Sequence, residues 1–166
     1  MRRTRFSLVA TVALVLALLI PASASAAPMG PKSDLVAGGG KSFSDILSIN
    51  AHINPNGKIQ GHINAHSVPE YDFPFVVEGN VLCLTIVGNR AAIGGELTTL
   101  EAAGWDPNLY HGWYFFVEDN GNQQGVPDKI SYQFPTLNPV TTCPNPVPGS
   151  AYFEMLEGNI VVSKGN

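Results

Sequence analysis

Charge is what this sequence has least of. Only 13% of its 166 residues are Asp, Glu, Lys or Arg, and beyond Arg2, Arg3 and Arg5 no two basic residues lie close together. A nucleic-acid-binding surface needs clustered Lys and Arg against the phosphates, so that partner class is excluded. Cysteine is nearly as scarce, with only Cys83 and Cys143. No Cys-x-x-Cys pair exists, which argues against dithiol redox chemistry. No Gly-x-Ser-x-Gly segment offers a nucleophile elbow, and no unit of 20–50 residues repeats.

The sequence does have an export pattern at its start. Arg2, Arg3 and Arg5 form a positive head, Phe6 to Ile20 is apolar, and Pro21 precedes Ala24-Ser25-Ala26. Small residues at these positions suit a signal peptidase. The apolar run is shorter than the roughly 20 residues needed to cross a bilayer. We therefore read residues 1–26 as a signal peptide cleaved near Ala26, and the mature chain as secreted, with no stable membrane insertion. Losing three Arg takes nine basic residues to six against thirteen acidic ones, for a net charge of −7 over 140 residues. That length suits a single domain. Residues 27–34 read as a flexible arm and residues 35–166 as one β domain. In an oxidising compartment Cys83 and Cys143 should form one disulfide.

Turn residues and period-2 patterns dominate the mature part. Leu47, Ile49, Ala51 and Ile53 alternate with polar residues, and so do Ile59, Gly61, Ile63 and Ala65. Asn54-Pro55-Asn56-Gly57 between them reads as a type I turn with a Gly bulge, pairing Ile53 with Ile59 and Ile49 with Ile63. A second hairpin, Val81–Val87 with Arg90–Leu97, turns at Gly88-Asn89. Leu82, Leu84 and Ile86 would face the core there. Cys83 would face the other way, under a Pro-rich strap, Pro135–Gly149, that shields Val81 and Val87. Leu35–Ala37 reads as a short strand bending at Gly38-Gly39-Gly40. Gly112–Glu118 and Lys129–Phe134 read as strands, and Val68–Val77 as an edge strand or bend because of Pro74. Ala151–Met155 and Asn159–Val162 read as a last hairpin. The spacing Thr98-Thr99-Leu100-Glu101 predicts one short helix over 98–103. The fold class is thus all-β, an antiparallel meander of eight to ten short strands closed as a barrel or stacked as a sandwich.

Several segments occur in a fixed order: Gly38-Gly39-Gly40, the Asn54–Gly57 hairpin, Val87–Gly95, Val117-Glu118-Asp119-Asn120-Gly121 and Gly158–Val162. Together they resemble the post-COAP domain family and related small exported bacterial proteins. The likeness covers most of residues 36–163. It implies export and a β domain without a settled function, and it supplies no catalytic residue.

Three groups could carry chemistry. In the loop 119–128, Asp119, Asn120, Asn122 and Asp128 offer hard oxygens of the kind calcium takes, and Gly121 and Gly125 allow bending. The spacing is not an EF-hand, and the same residues also make ordinary Asx turns. His52, His62 and His66 share the polar face of the first hairpin. His52 and His62 sit diagonally, about 7–8 Å apart, near the reach of one zinc ion. A solvated strand face, on which His is only a polar residue, is the simpler account of them. Trp105, Tyr110, Trp113 and Tyr114 cluster beside a turn and could contact a ligand such as a glycan, or fill the core and one barrel end.

The residues point to a non-catalytic, secreted or envelope-associated module that binds a protein or glycan, or serves as structure. The alternatives are a small-ligand carrier with an apolar barrel interior, roomy near Ala51, Gly61 and Ala65, and a hydrolase. The disulfide yields a direct expectation. Closing a loop of about 60 residues is worth about 4 kcal/mol in chain entropy. Unreduced protein should therefore show no thiol to an alkylating reagent, and Cys143→Ser should unfold at lower urea. Two reactive thiols in the native protein would overturn the pairing.

Overall fold

The computed structural model describes residues 33–68, 70, 72–121, 125–151 and 153–165. The export segment 1–26 and residues 27–32 of the arm lie outside the described residues. Among the described residues ten strands form one antiparallel sheet: β1 (Asp34–Lys41), β2 (Asp45–Ile53), β3 (Ile59–Ser67), β4 (Phe75–Val87), β5 (Arg90–Ala102), β6 (Gly112–Glu118), β7 (Lys129–Ile130), β8 (Phe134–Thr136), β9 (Phe153–Glu154) and β10 (Glu157–Ser163). The sheet is curled into a half-barrel with strand order β10-β1-β2-β3-β4-β5-β6-β7-β9, and β8 also pairs with β6. No helix occurs among the described residues, so none there is long and apolar enough to cross a membrane.

The first hairpin takes the register its alternation dictates. Ile53 pairs with Ile59 and Ile49 with Ile63. Gly57 adopts φ +78°, and its N–H donates to the Asn54 carbonyl at 2.8 Å. Leu47, Ile49, Ala51, Ile63 and Ala65 are buried inside the curl. Val77, Val81, Leu84 and Ile86 of β4, Ile93 of β5, and Trp113, Phe115 and Val117 of β6 complete the core. At the centre Trp113 packs directly on Gly79, where a Cβ would lie 2.1 Å from the indole nitrogen. That nitrogen donates to the Glu96 carbonyl at 2.9 Å. A glycine is required there because the ring occupies the space a side chain would need.

Several local readings are corrected. The predicted helix over 98–103 does not form: residues 98–102 continue strand β5 and residue 103 begins a turn. The Thr99 hydroxyl does not cap a helix but donates across to Glu78 at 2.9 Å, and Asn64 donates to the other Glu78 oxygen at 2.8 Å. This polar ladder over three strands outweighs a local capping preference. β1 does not end at Gly38–Gly40 but runs through them, between β10 and β2. Phe75–Val87 is one strand, and Pro74 stands just before it. A register shift between Val81 and Cys83 leaves Leu82 half-buried at a bulge. Val81 therefore faces the core in place of Leu82, while Leu84 and Ile86 stay inside as read. Lys129–Phe134 breaks into β7 and β8 at Ser131–Gln133, because the Ser131 hydroxyl accepts the Phe116 amide at 2.9 Å. Ala151–Met155 and Asn159–Val162 do not form a hairpin. β9 pairs with β7 and β10 pairs with β1, at opposite edges of the sheet.

Cys83 and Cys143 form the disulfide. Cys83 is buried on the outer face of β4, and the strap crosses it. The Val140 amide donates to the Gly95 carbonyl at 3.0 Å, and the Thr85 hydroxyl donates to the Cys143 carbonyl at 3.4 Å. Val87 is not shielded and stays 42% exposed. Gly79→Ala is expected to lower stability by about 2–3 kcal/mol through overpacking against Trp113, read as a lower urea midpoint with an unchanged slope. A midpoint equal to that of the parent would show that the indole has room to move.

Candidate functional site

Strand ends, not the strand faces read from the sequence, build the candidate site. The turn from β1 to β2, the start of β4, the end of β5 and the segment between β7 and β8 surround a cavity of about 200 Å³. Phe73, Phe75, Trp105 and Tyr132 form its aromatic lining. Val77 and Ala102 continue it toward the core, and Ser44, Asp45 and Gln133 supply its polar part. Phe73 and Tyr132 are close to half exposed and make the rim. The Tyr132 ring meets Phe153 edge-on at 4.4 Å.

Asp45 is the chemical centre of this cavity. It shares the phase of Leu47, Ile49 and Ala51 and so points inward, where it is 3% exposed. Its backbone serves the turn: the Ser42 amide donates to the Asp45 carbonyl at 2.8 Å, and the Asp45 amide donates to the Ser42 hydroxyl at 3.2 Å. Its carboxylate accepts the Ser44 hydroxyl at one oxygen and the Gln133 side-chain amide, at 3.1 Å, at the other. Ser44 and Gln133 are buried with it. Neutral donors thus satisfy both oxygens of the buried acid, as polar atoms away from water require. Among the described residues the ion pair is Lys41–Glu70, at 3.9 Å, and it does not involve Asp45.

The four aromatics read from the sequence separate. Trp105 lines the cavity and lies 6.3 Å from Tyr110 at a tilt. Trp113 is in the core, stacked on Phe115. Tyr114 lies on the outer face, stacked on Phe134 at 5.0 Å. The register sets His52 opposite Gln60 and His62 opposite Asn50, which places the two histidines diagonally; His66 lies further along, opposite Ile46. Among the described residues no group of three His, Cys, Asp or Glu is arranged to hold a metal ion.

In the loop between β6 and β7, Asn122 lies outside the described residues. Asp119 and Asp128 are placed where they bind backbone. Asp128 accepts the Asn120 amide at 2.8 Å with one oxygen and the Ile160 amide at 2.7 Å with the other. Asp119 accepts the Gly121 amide at 2.7 Å and the Val162 amide at 2.8 Å. The Asn120 side chain donates to the Pro127 carbonyl at 2.7 Å. Ile160 and Val162 belong to β10, so the two carboxylates tie the edge strand to the loop.

Sequence reading missed Ser44, Asp45, Phe73, Tyr132 and Gln133 as a group. One mark was visible: Asp45 is an acid in phase with an apolar strand face. No family model, curated protein or solved structure matches the chain.

Asp128→Ala should cost about 3 kcal/mol, since two charge-assisted bonds are lost and the Ile160 amide is left without its acceptor. Asp119→Ala, less buried, should cost about 1–2 kcal/mol. Hydrogen exchange should quicken at Ile160 in the first variant and at Val162 in the second. Unchanged protection at both amides would refute the assigned acceptors.

Proposed function

We propose that this chain is an exported, non-catalytic binding module that takes a small ligand in the cavity at the end of the half-barrel. The observation that carries this reading is an aromatic-lined space converging on a buried, hydrogen-bonded acid. Ligand sites have this composition, mostly apolar walls with a few polar groups that set orientation. The half-open rim gives access from solvent. A disulfide is compatible with the oxidising compartment that export implies. The likeness to post-COAP proteins belongs to the same proposal, since it agrees with export and a β domain and brings no catalytic residue. The space proposed for the ligand lies beside Asp45 and Trp105, whereas Ala51 and Ala65, where a carrier's room was expected, pack in the core. The size favours a small molecule over a glycan chain or a protein surface. Binding is preferred to turnover because both oxygens of the acid are already engaged by Ser44 and Gln133.

A fragment screen by amide NMR tests the reading. Hits should shift the amides of Asp45, Val77, Ala102 and Trp105 together, and should quench fluorescence in the parent but not in Trp105→Phe. Hits that cluster on another face, or a screen without hits, would overturn it.

A further inference from the structure

We propose that the end cavity recognises an organic cation whose charge sits on an alkylated nitrogen, a quaternary ammonium group. This rests on the binding reading above and adds the chemical class.

Asp45 is 3% exposed, and no Lys, Arg or His among the described residues stands within ion-pair distance of it. Ser44 and Gln133 hydrogen-bond its carboxyl oxygens and bring no positive charge. The cavity it borders is also lined by Phe73, Phe75, Trp105 and Tyr132, and aromatic ring faces carry negative electrostatic potential. Both features repel an anion. A neutral apolar guest would displace water from a buried acid and return nothing for the lost solvation. A cation is attracted by the acid and by the rings alike.

The nature of the cation follows from hydrogen bonding. A primary ammonium carries three N–H donors, each of which needs an acceptor once out of water. Here the acceptors are confined to the polar part, and both Asp45 oxygens already accept one bond. Most of the remaining wall is carbon. An alkylated nitrogen has no N–H to satisfy and presents a positively polarised C–H shell to rings and methyl groups. Size agrees: at about 30 Å³ for each water-sized group, a cavity of about 200 Å³ holds roughly six or seven heavy atoms.

The test uses protein purified as the expressing cell processes the full chain. Choline chloride and its uncharged carbon isostere, 3,3-dimethyl-1-butanol, are titrated by calorimetry at matched ionic strength. Choline should bind at least about tenfold more tightly than the isostere. Asp45→Asn should remove the preference for choline over the isostere. Phe73→Leu changes an exposed rim residue and so tests the same point without touching the buried cluster; it should also weaken choline selectively. Equal binding of choline and isostere would leave the cavity a binding site but refute the cationic class. Methylammonium binding as tightly as choline would refute the alkylated nitrogen. Binding of none of the three, in a protein whose fragment screen still maps to Trp105, would refute this inference alone. A silent fragment screen would remove the binding reading beneath it.

Discussion

The structure depends on how one edge strand is held. β10 pairs with β1 on one side, and its other side would present unpaired amides, a standing invitation to aggregation in any open sheet. Here Asp128 and Asp119 reach from the loop after β6 and accept the Ile160 and Val162 amides. Carboxylates thus stand in for a strand ladder. The chain itself adds a second tie. β9 and β10 sit at opposite edges of the sheet yet are consecutive in sequence, so Met155 and Leu156 must bridge the gap. Their amides donate to the Asp128 and Lys41 carbonyls at 2.9 and 2.8 Å.

Once the edges are tied, the interior becomes a packing problem. Trp113 lies across Gly79, and the aliphatic residues of β2 to β5 fill the space beside it. On the outer face the strap crosses β4 and β5. There the bulge at Leu82 matters. It lets Val81 enter the core and still turns Cys83 outward, so one strand serves both the hydrophobic interior and the disulfide. Elsewhere the outer face is solvated and carries the Asn64–Glu78–Thr99 ladder.

The cavity is a consequence of the same geometry. At the end bearing the β1–β2 turn, strands finish at different heights and aromatic side chains close the opening only partly. Asp45 then becomes a buried acid by register alone: its phase is that of Leu47, and it cannot turn outward without carrying the whole strand face with it. Ser44 and Gln133 solvate it. A buried acid with no basic partner among the described residues, in a space lined by rings, is the kind of local conflict that sites rather than scaffolds display.

Much of the architecture was legible in the residues themselves. Alternation from Leu47 to Ala65 and the Asn54–Gly57 turn determined the first hairpin, its register and its inward face, because a one-residue slip would expose every apolar side chain. The Gly88-Asn89 turn and the pairing of the only two cysteines were equally local or forced. What failed was whatever depended on partners distant in sequence. Thr98–Glu101 carries a helix-capping spacing, yet the Glu78 carboxylate across the sheet claims Thr99. Glu157-Gly158 marks a turn, yet β9 and β10 separate to opposite edges because each finds a longer-range mate. Asp119 and Asp128 have the composition of a cation loop, and only the arrival of β10 makes them acceptors for its amides. The sequence by itself determined the first hairpin and the tight turn at Gly88-Asn89, since period and turn chemistry act between neighbours. The tertiary structure alone decided the edge pairing and the site, since Ser44, Phe73, Trp105 and Gln133 meet only when the sheet has curled.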